Sequence, residues 1–178
     1  MVKRITTPLR REQLKDLYAG DQVLISGEIY TARDAAHKRL VELVEQGKPL
    51  PIDVKDQIIY YVGPCPAKEG QVIGSCGPTT SGRMDAYAPT LIRLGETGMI
   101  GKGERLPEVY DAMQKYGCVY FGATGGAGAL LASCVEKVEE IAYPDLLSES
   151  IKRLAVKDFP VIVIGDIHGG NLYRRENQ

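Results

Sequence analysis

The chain has 178 residues, of which 44% are hydrophobic and 25% charged, and this ordinary globular composition excludes wholesale disorder. Its 22 lysines and arginines face 23 aspartates and glutamates, and the resulting net charge of −1 argues against a nucleic-acid-binding protein. A small anionic ligand remains open, because it needs only a few focused cations.

Predicted strands and helices alternate along the chain, which favours one α/β domain over residues 1–178. In the first half of the chain the predicted elements are a short helix opened by Thr7-Pro8 and ending near Tyr18, a strand over 23–30, a helix over 31–46 and strands over 57–62 and 71–73. The middle of the chain contains a helix between Arg83 and Leu94, a strand at Met99-Ile100, a helix from Pro107 to Gly117 and a strand over 118–121. The last predicted elements are a helix over 129–134, a strand over 135–143, a weak helix over 146–153 and a buried strand over 160–164.

The helix over 31–46 has the clearest signals. Thr31 and Asp34 have the spacing of a capping box, and Gly47 is the expected C-terminal stop. Pro89 leaves the start of the helix between Arg83 and Leu94 open, because proline fits an N-terminal position as well as an interior break.

The sequence gives no sign of a targeting segment or of a metal site. Residues 1–8 carry charge without an apolar stretch behind them, and the longest apolar run, 160–164, is too short to span a bilayer, so we expect a cytoplasmic protein. The four cysteines form no Cys-x-x-Cys pair and match no familiar zinc spacing, so we expect free thiols; they are Cys65, Cys76, Cys118 and Cys134.

Three segments combine cations with glycines or hydroxyls. The loop 77–83 (Gly-Pro-Thr-Thr-Ser-Gly-Arg) precedes a helix and suits a carboxylate or phosphate, although an ordinary capped turn has the same composition. Arg33 and His37 lie four apart on one helix face, and an arginine in a first turn opposes the helix dipole unless a ligand is bound there. Lys102 lies between two glycines at the end of a strand, where α/β sheets bind ligands.

Two further segments are weaker candidates. Residues 122–128 are glycine-rich but lack Gly-x-Gly-x-x-Gly spacing, which favours close packing of a helix start over a phosphate site. Residues 166–171 hold an aspartate and a histidine, and a polar turn is the simpler interpretation.

Together these segments resemble one family. Residues 30–39 (Tyr-Thr-Ala-Arg-Asp-Ala-Ala-His-Lys-Arg), 77–85 (Gly-Pro-Thr-Thr-Ser-Gly-Arg-Met-Asp), 101–103 (Gly-Lys-Gly) and 125–127 (Gly-Gly-Ala) are similar, in order and approximate spacing, to the β subunit of class I fumarases. The L-tartrate dehydratase β subunit shares this plan.

The resemblance implies a swivelling β/β/α domain and a hydro-lyase that hydrates fumarate reversibly to (S)-malate on a [4Fe-4S] cluster. It implies that a partner α subunit ligates the cluster, so that this chain has no metal ligand of its own and is not active alone. It leaves homodimer contacts open.

The resemblance also implies roles for six residues. Arg33, Arg83 and Lys102 would bind the substrate carboxylates, Thr79 would sit at the substrate and take part in proton transfer, and Arg83 and Lys102 would count among the catalytic residues with it. Asp34 and His37 would support Arg33.

Two alternatives stay open at this point. The substrate could be L-tartrate or a related hydroxy acid, although residues 82–85 and 33–37 resemble those of the fumarases more than those of the tartrate dehydratases. The chain could also be a cluster-free domain that binds a dicarboxylate without turning it over.

Overall fold

A computed structural model of the chain describes residues 1–123 and 128–176. Its strands are β1 (Lys3–Thr6), β2 (Gln22–Thr31), β3 (Ile58–Tyr60), β4 (Gly98–Gly101), β5 (Val119–Gly122), β6 (Val135–Ala142) and β7 (Ile151–Gly165). Its α-helices are α1 (Asp34–Glu45), α2 (Ala88–Arg93), α3 (Pro107–Ala112), α4 (Gly128–Ser133) and α5 (Leu172–Glu176). The mixed α/β class predicted from the sequence is confirmed.

The seven strands form one sheet that closes on itself. Strands β1 to β5 pair in parallel in chain order, whereas β7 runs antiparallel to β2, β5 and β6. Because β7 pairs with β2 along one edge and with β5 along the other, the central strands make a small barrel. The carboxyl ends of β2, β3 and β4 therefore meet at one end of this barrel.

Alternate side chains of the parallel strands pack into two separate clusters. On β3, Ile58 and Tyr60 belong to the cluster that includes Phe121 and Phe159, and Ile59 belongs to the cluster under the helices. All three β3 side chains are fully buried, as expected for parallel strands covered on both faces. Leu40 of α1 packs into the second cluster, so α1 is anchored beside the strand ends.

Most predicted boundaries hold within a few residues. The first helix is present as a 3-10 helix over Arg11–Asp16, and Pro89 lies in the first turn of α2, after a separate 3-10 turn at Ser81–Met84. Gly47 follows α1 with φ +67°, the left-handed conformation expected of a glycine stop.

The predicted capping box of α1 is wrong. Thr31 is still part of β2, and its hydroxyl accepts a hydrogen bond from the Lys152 amide at 3.1 Å. The helix begins at Asp34, with Arg33 as its extended N-cap residue. The strand therefore runs further, and the helix starts later, than the Thr-x-x-Asp spacing indicated.

Two other predictions are wrong. Residues 71–73 form no strand; they lie in the irregular segment 61–79, where the Cys65 amide donates to the Ser75 carbonyl at 3.0 Å. The predicted weak helix over 146–153 is a short 3-10 segment, Pro144–Glu149, followed by the fifteen-residue strand β7. Strand β7 also contains the predicted buried strand 160–164. Residues 151–153 belong to β7 because cross-strand pairing outweighs their local helix propensity.

Candidate functional site

The residues predicted to bind substrate lie where three adjacent parallel strands end. Arg33 follows β2 by two residues, and Lys102 directly follows β4. The Thr79 amide donates to the carbonyl of Tyr61, the residue just after β3, at 2.7 Å. Arg83 lies in the 3-10 turn that follows Thr79. Of these positions, only that of Lys102 at the end of a strand is predicted from the sequence, and the structure confirms it.

Backbone hydrogen bonds hold the Thr79 segment against the Lys102 segment. Thr80 and Lys102 pair as an isolated parallel bridge, and the Ser81 amide donates to the Lys102 carbonyl at 2.8 Å. This pairing extends the sheet by one step beyond β4. It fixes the backbone that carries Thr79 and Arg83 relative to the backbone that carries Lys102.

Gly101 permits this close approach. A Cβ built on Gly101 would overlap the Ser81 hydroxyl and lie 2.9 Å from the Tyr61 ring. Any side chain larger than hydrogen would therefore push the two segments apart.

Arg33 is held loosely and keeps unused hydrogen-bonding capacity. Its side chain is 23% exposed, and its Nε lies 3.7 Å from carboxylate oxygens of both Asp34 and Glu149, too far for a hydrogen bond. This Nε has no hydrogen-bond partner among the residues that the structure describes. A Cβ on Gly63 would lie 3.0 Å from the Arg33 Nη1, so the guanidinium lies directly over that glycine.

His37 supports the backbone of Arg33 from below. The imidazole is fully buried, its Nδ1 lies 2.8 Å from the Arg33 carbonyl oxygen, and its ring packs edge-on to Tyr61 with centroids 5.3 Å apart. Burial lowers the pKa of His37 from 6.5 to about 4, against the opposing effect of the Arg33 carbonyl. The ring is thus neutral near pH 7, with Nδ1–H as the donor, and cannot itself serve as a cationic ligand for substrate.

Arg83 and Lys102 are both exposed at this end of the barrel. Within residues 1–123 and 128–176, neither side chain makes a hydrogen bond or an ion pair. Thr79 is half-buried beside them. Together with Arg33 they form a set of three cations and one hydroxyl, which suits a ligand that carries carboxylates.

The sequence does not predict the buried ion pair between Asp85 and Arg105 that lies beneath these residues. Asp85 is visible only as the last residue of a motif, and no sequence pattern singles out Arg105. The Arg105 side chain is fully buried, and its Nε donates to Asp85 Oδ1 at 2.6 Å. The only available signal was a charged residue three positions after Lys102, and a charge in a loop is usually solvated.

The segment 166–171 is a polar turn at the other end of the barrel. Asp166 Oδ1 accepts hydrogen bonds from the amides of His168 and Gly170, each at 2.8 Å, and the His168 ring stacks on Tyr18. The simpler interpretation of this segment is confirmed.

The glycine-rich segment 122–128 is described only at its ends. Thr124, Gly125, Gly126 and Ala127 lie outside the described residues, and with them the 125–127 motif. At Gly128 a Cβ would overlap the Ser75 hydroxyl, and the Gly128 carbonyl accepts the Cys76 amide at 3.1 Å. This start of α4 therefore packs closely on the loop before Thr79.

The cysteines do not form a cluster site in the described part of the chain. Cys65 is exposed, Cys76 and Cys118 are buried, and Cys134 is intermediate, all as free thiols. No group of three or more His, Cys, Asp or Glu side chains there could hold a metal ion. In the same residues, every helix is too short or too polar to cross a membrane.

Comparison with known proteins gives a family match and close relatives. The family model described as "Fumarase C-terminus" matches residues 2–176. The chain is 38% identical over 167 residues to fumarate hydratase 2 of Leishmania major, covering 93% of this chain and 29% of that protein.

Two other relatives are much shorter proteins. The chain is 38% identical over 176 residues to the putative L(+)-tartrate dehydratase subunit beta of Methanocaldococcus jannaschii, covering 96% of this chain and 90% of that subunit. It is 36% identical over 177 residues to the L(+)-tartrate dehydratase subunit beta of Escherichia coli, covering 97% and 87%. The chain therefore spans about three-tenths of the fumarate hydratase and nearly all of the two β subunits.

Proposed function

We propose a function for this chain on the premise that it belongs to the fumarase C-terminus family. The chain is the β subunit of an iron–sulfur-dependent hydro-lyase, and the reaction is the reversible hydration of fumarate to (S)-malate. It contributes carboxylate-binding cations to an active site that it shares with a cluster-bearing α subunit. The observation that carries the proposal is the set formed by Arg33, Arg83, Lys102 and Thr79 at the ends of β2, β3 and β4.

The chemistry of dehydration explains why such a set is needed. Removing a proton from the carbon next to a carboxylate leaves a carbanion, whose charge is best delocalised onto the carboxylate oxygens. Cations fixed in advance around that carboxylate stabilise the transition state more than the ground state. Arg83 and Lys102, which have no internal ion-pair partner among the described residues, are free to bind one carboxylate, and Arg33 the other.

Thr79 is assigned to proton transfer at the substrate carbon. A hydroxyl is a weak base at its ordinary pKa, so this role depends on the neighbouring cations Arg83 and Lys102 or on a carboxylate from the partner subunit. Its amide donates to the Tyr61 carbonyl, so the backbone that carries the hydroxyl is fixed relative to β3. His37 and Asp34 act indirectly in this proposal, because they contact Arg33 and are not assigned any contact with the substrate.

The cluster belongs to the partner in this proposal. The four thiols of this chain, dispersed between core and surface, do not fit a [4Fe-4S] cluster, and no step is assigned to them. When bound in the α subunit, the cluster would supply a Lewis acid for the leaving hydroxyl.

A second candidate is L-tartrate dehydration. It is supported by similarity, because the two tartrate dehydratase β subunits are 36–38% identical to this chain and the fumarate hydratase is 38% identical. The same cations would bind both tartrate carboxylates.

The test is co-expression with the candidate α subunit under anaerobic conditions, followed by assays with fumarate and with L-tartrate. Faster turnover of fumarate supports the first proposal, and faster turnover of tartrate supports the second. An assembled, cluster-loaded complex that acts on neither acid would refute both and favour a binding domain. Arg83→Ala should abolish turnover, and Arg93→Ala, a change of an exposed arginine at the end of α2, is the matched control.

A further inference from the structure

A buried polar network connects the two segments that carry the candidate site. Arg105 lies three residues after Lys102, and Asp85 lies two residues after Arg83. Their side chains are 0% and 4% exposed and form an ion pair at 2.6 Å. Asp85 Oδ2 also accepts the Leu106 amide at 2.9 Å, so both carboxylate oxygens bind the Lys102 segment.

The guanidinium of Arg105 is enclosed by the strand ends. Its Nη2 donates to the Tyr61 hydroxyl at 3.2 Å, and its Nη1 contacts the Met99 sulfur at 3.4 Å. It lies 5.2 Å from the Tyr61 ring centroid and 4.9 Å from that of Tyr120, both within the range of a cation–π contact. One side chain thus touches β4, β5 and the residue after β3.

Tyr120 makes a second connection between the same segments. Its hydroxyl donates to the Gly103 carbonyl at 2.7 Å and shares a hydrogen bond with the Ser81 hydroxyl, also at 2.7 Å. Ser81 in turn donates its amide to the Lys102 carbonyl. The network therefore crosses from the Arg83 segment to the Lys102 segment at three separate places.

We infer that Asp85 and Arg105 are positioning residues that set the spacing between the Arg83 side chain and the Lys102 side chain. The inference rests on the proposed function, in which those two cations bind one substrate carboxylate. Two exposed side chains on flexible stems can match a carboxylate only if their backbones are fixed, and the ion pair fixes both from beneath. A buried, fully hydrogen-bonded pair suits this task because its geometry has few alternatives in a dry interior.

The network predicts that geometry, rather than charge alone, matters at Arg105. Lysine keeps the charge but lacks the planar fork that reaches Asp85 and Tyr61 together. We expect Arg105→Lys, in the assembled complex with its α subunit, to lower kcat/KM at least thirtyfold. Asp85→Asn should have an effect of similar size, because Arg105 would then lose its carboxylate partner.

A stability-matched control separates positioning from general weakening. Leu14→Ala removes a fully buried side chain from the other hydrophobic cluster and touches none of the network. Assayed well below its melting temperature, this variant should keep wild-type kcat/KM. A loss as large as that of Arg105→Lys would assign the effect to stability and overturn the inference.

Coupling to Lys102 gives a readout that a purely structural role would not move. If Arg105 acts through Lys102, adding Arg105→Lys to a Lys102→Ala complex should cost less than threefold more in kcat/KM. A full additional thirtyfold loss would mean that Arg105 acts independently of Lys102 and would overturn the inference.

Hydrogen exchange of the full chain tests the geometry without any enzyme assay. In Arg105→Lys, the amides of Thr79 and Ser81 should exchange at least tenfold faster than in Leu14→Ala, while the β4 amides keep their protection. Equal exchange at Thr79 and Ser81 in both variants would refute the positioning role. If the wild-type complex turns over neither acid, the proposed function fails, and this measurement still decides whether Arg105 holds the two segments together.

Discussion

Two buried groups with opposite pKa shifts give the chain an unusual expected pH dependence of stability. His37 is fully buried, and burial lowers its pKa from 6.5 to about 4. Glu96, which precedes β4, is also fully buried, and burial raises its pKa well above 4.5 despite the nearby Arg105 charge. Neither carboxyl oxygen of Glu96 has a hydrogen-bond partner among the described residues.

The two groups act in opposite directions over the same pH range. Between pH 4 and 6.5 the unfolded chain binds a proton at His37 that the folded chain does not, so His37 makes stability rise with pH. The full effect is about 3.5 kcal/mol, since the two pKa values differ by about 2.5 and each pKa unit is worth roughly 1.4 kcal/mol. Above pH 4.5 the folded chain keeps the Glu96 proton that the unfolded chain loses, so Glu96 makes stability fall with pH.

Wherever the folded chain keeps the Glu96 proton between pH 4.5 and 6.5, the two slopes oppose each other in the wild-type chain. Glu96→Gln removes the falling contribution, so its free energy of unfolding should rise more steeply with pH than that of wild type, by at most about 1.4 kcal/mol per pH unit. His37→Asn, whose amide can still donate to the Arg33 carbonyl, should change the slope by a similar amount in the opposite direction.

Urea unfolding at constant ionic strength, repeated at half-unit steps from pH 4.5 to 6.5, measures these slopes. The double variant His37→Asn/Glu96→Gln is the control and should return a nearly flat profile. Parallel profiles for wild type and Glu96→Gln would show that Glu96 ionises normally in the folded chain. The same result for His37→Asn would mean that the imidazole is accessible to protons, contrary to its burial beneath Arg33.

Three further outcomes are expected. Thr79→Val in the assembled complex should lower kcat by a factor of roughly 10²–10⁴ with little change in KM, whereas Thr80→Val should have a small effect; equal, small losses would place the acid–base group on the partner. Arg83→Lys should cost about 2–4 kcal/mol of transition-state stabilisation in kcat/KM, because a point charge cannot replace a planar fork, and near-normal turnover would make Arg83 merely structural. The isolated chain, reconstituted anaerobically, should fold without activity or a stoichiometric cluster, and about four irons per chain with activity would contradict the assignment of the cluster to the partner.

Local signals in the sequence identified several candidate segments one by one, but not that they meet at one end of the sheet. Gly47 marks the C-terminal limit of α1 through its backbone preference, whereas Pro89 leaves the start of α2 open from the sequence alone. The sequence predicts Lys102 at the end of a strand, but it predicts the Thr79 segment only as a loop before a helix, and the strand predicted in front of that loop at 71–73 does not exist. The family resemblance added roles for these residues that composition and spacing could not provide.

The failures occurred where contacts between distant residues decide the structure. Val72 and Ile73 are apolar and β-branched, yet residues 71–73 pair with no strand of the described chain, because the loop around them closes through hydrogen bonds to the Ser75 and Gly128 carbonyls. Residues 151–153 look helical in isolation and become a strand through pairing with β2 and β6. The partnership of Asp85 with Arg105 joins residues twenty positions apart, and burial of both charges cannot be recognised before the fold is known.

The closure of the barrel by β7 also affects how the protein is made. Gln22 pairs with Ile162, and Gly122 pairs with the same residue from the other edge, so β7 completes a ring whose first member, β2, lies far earlier in the chain. Pairings of such high sequence separation form slowly, because a long loop must close before any contact repays its entropy. Until β7 has been synthesised, β2 and β5 lack the strand that covers their edges in the folded chain. Chaperone binding or early assembly with another subunit would protect these edges from aggregation during this interval.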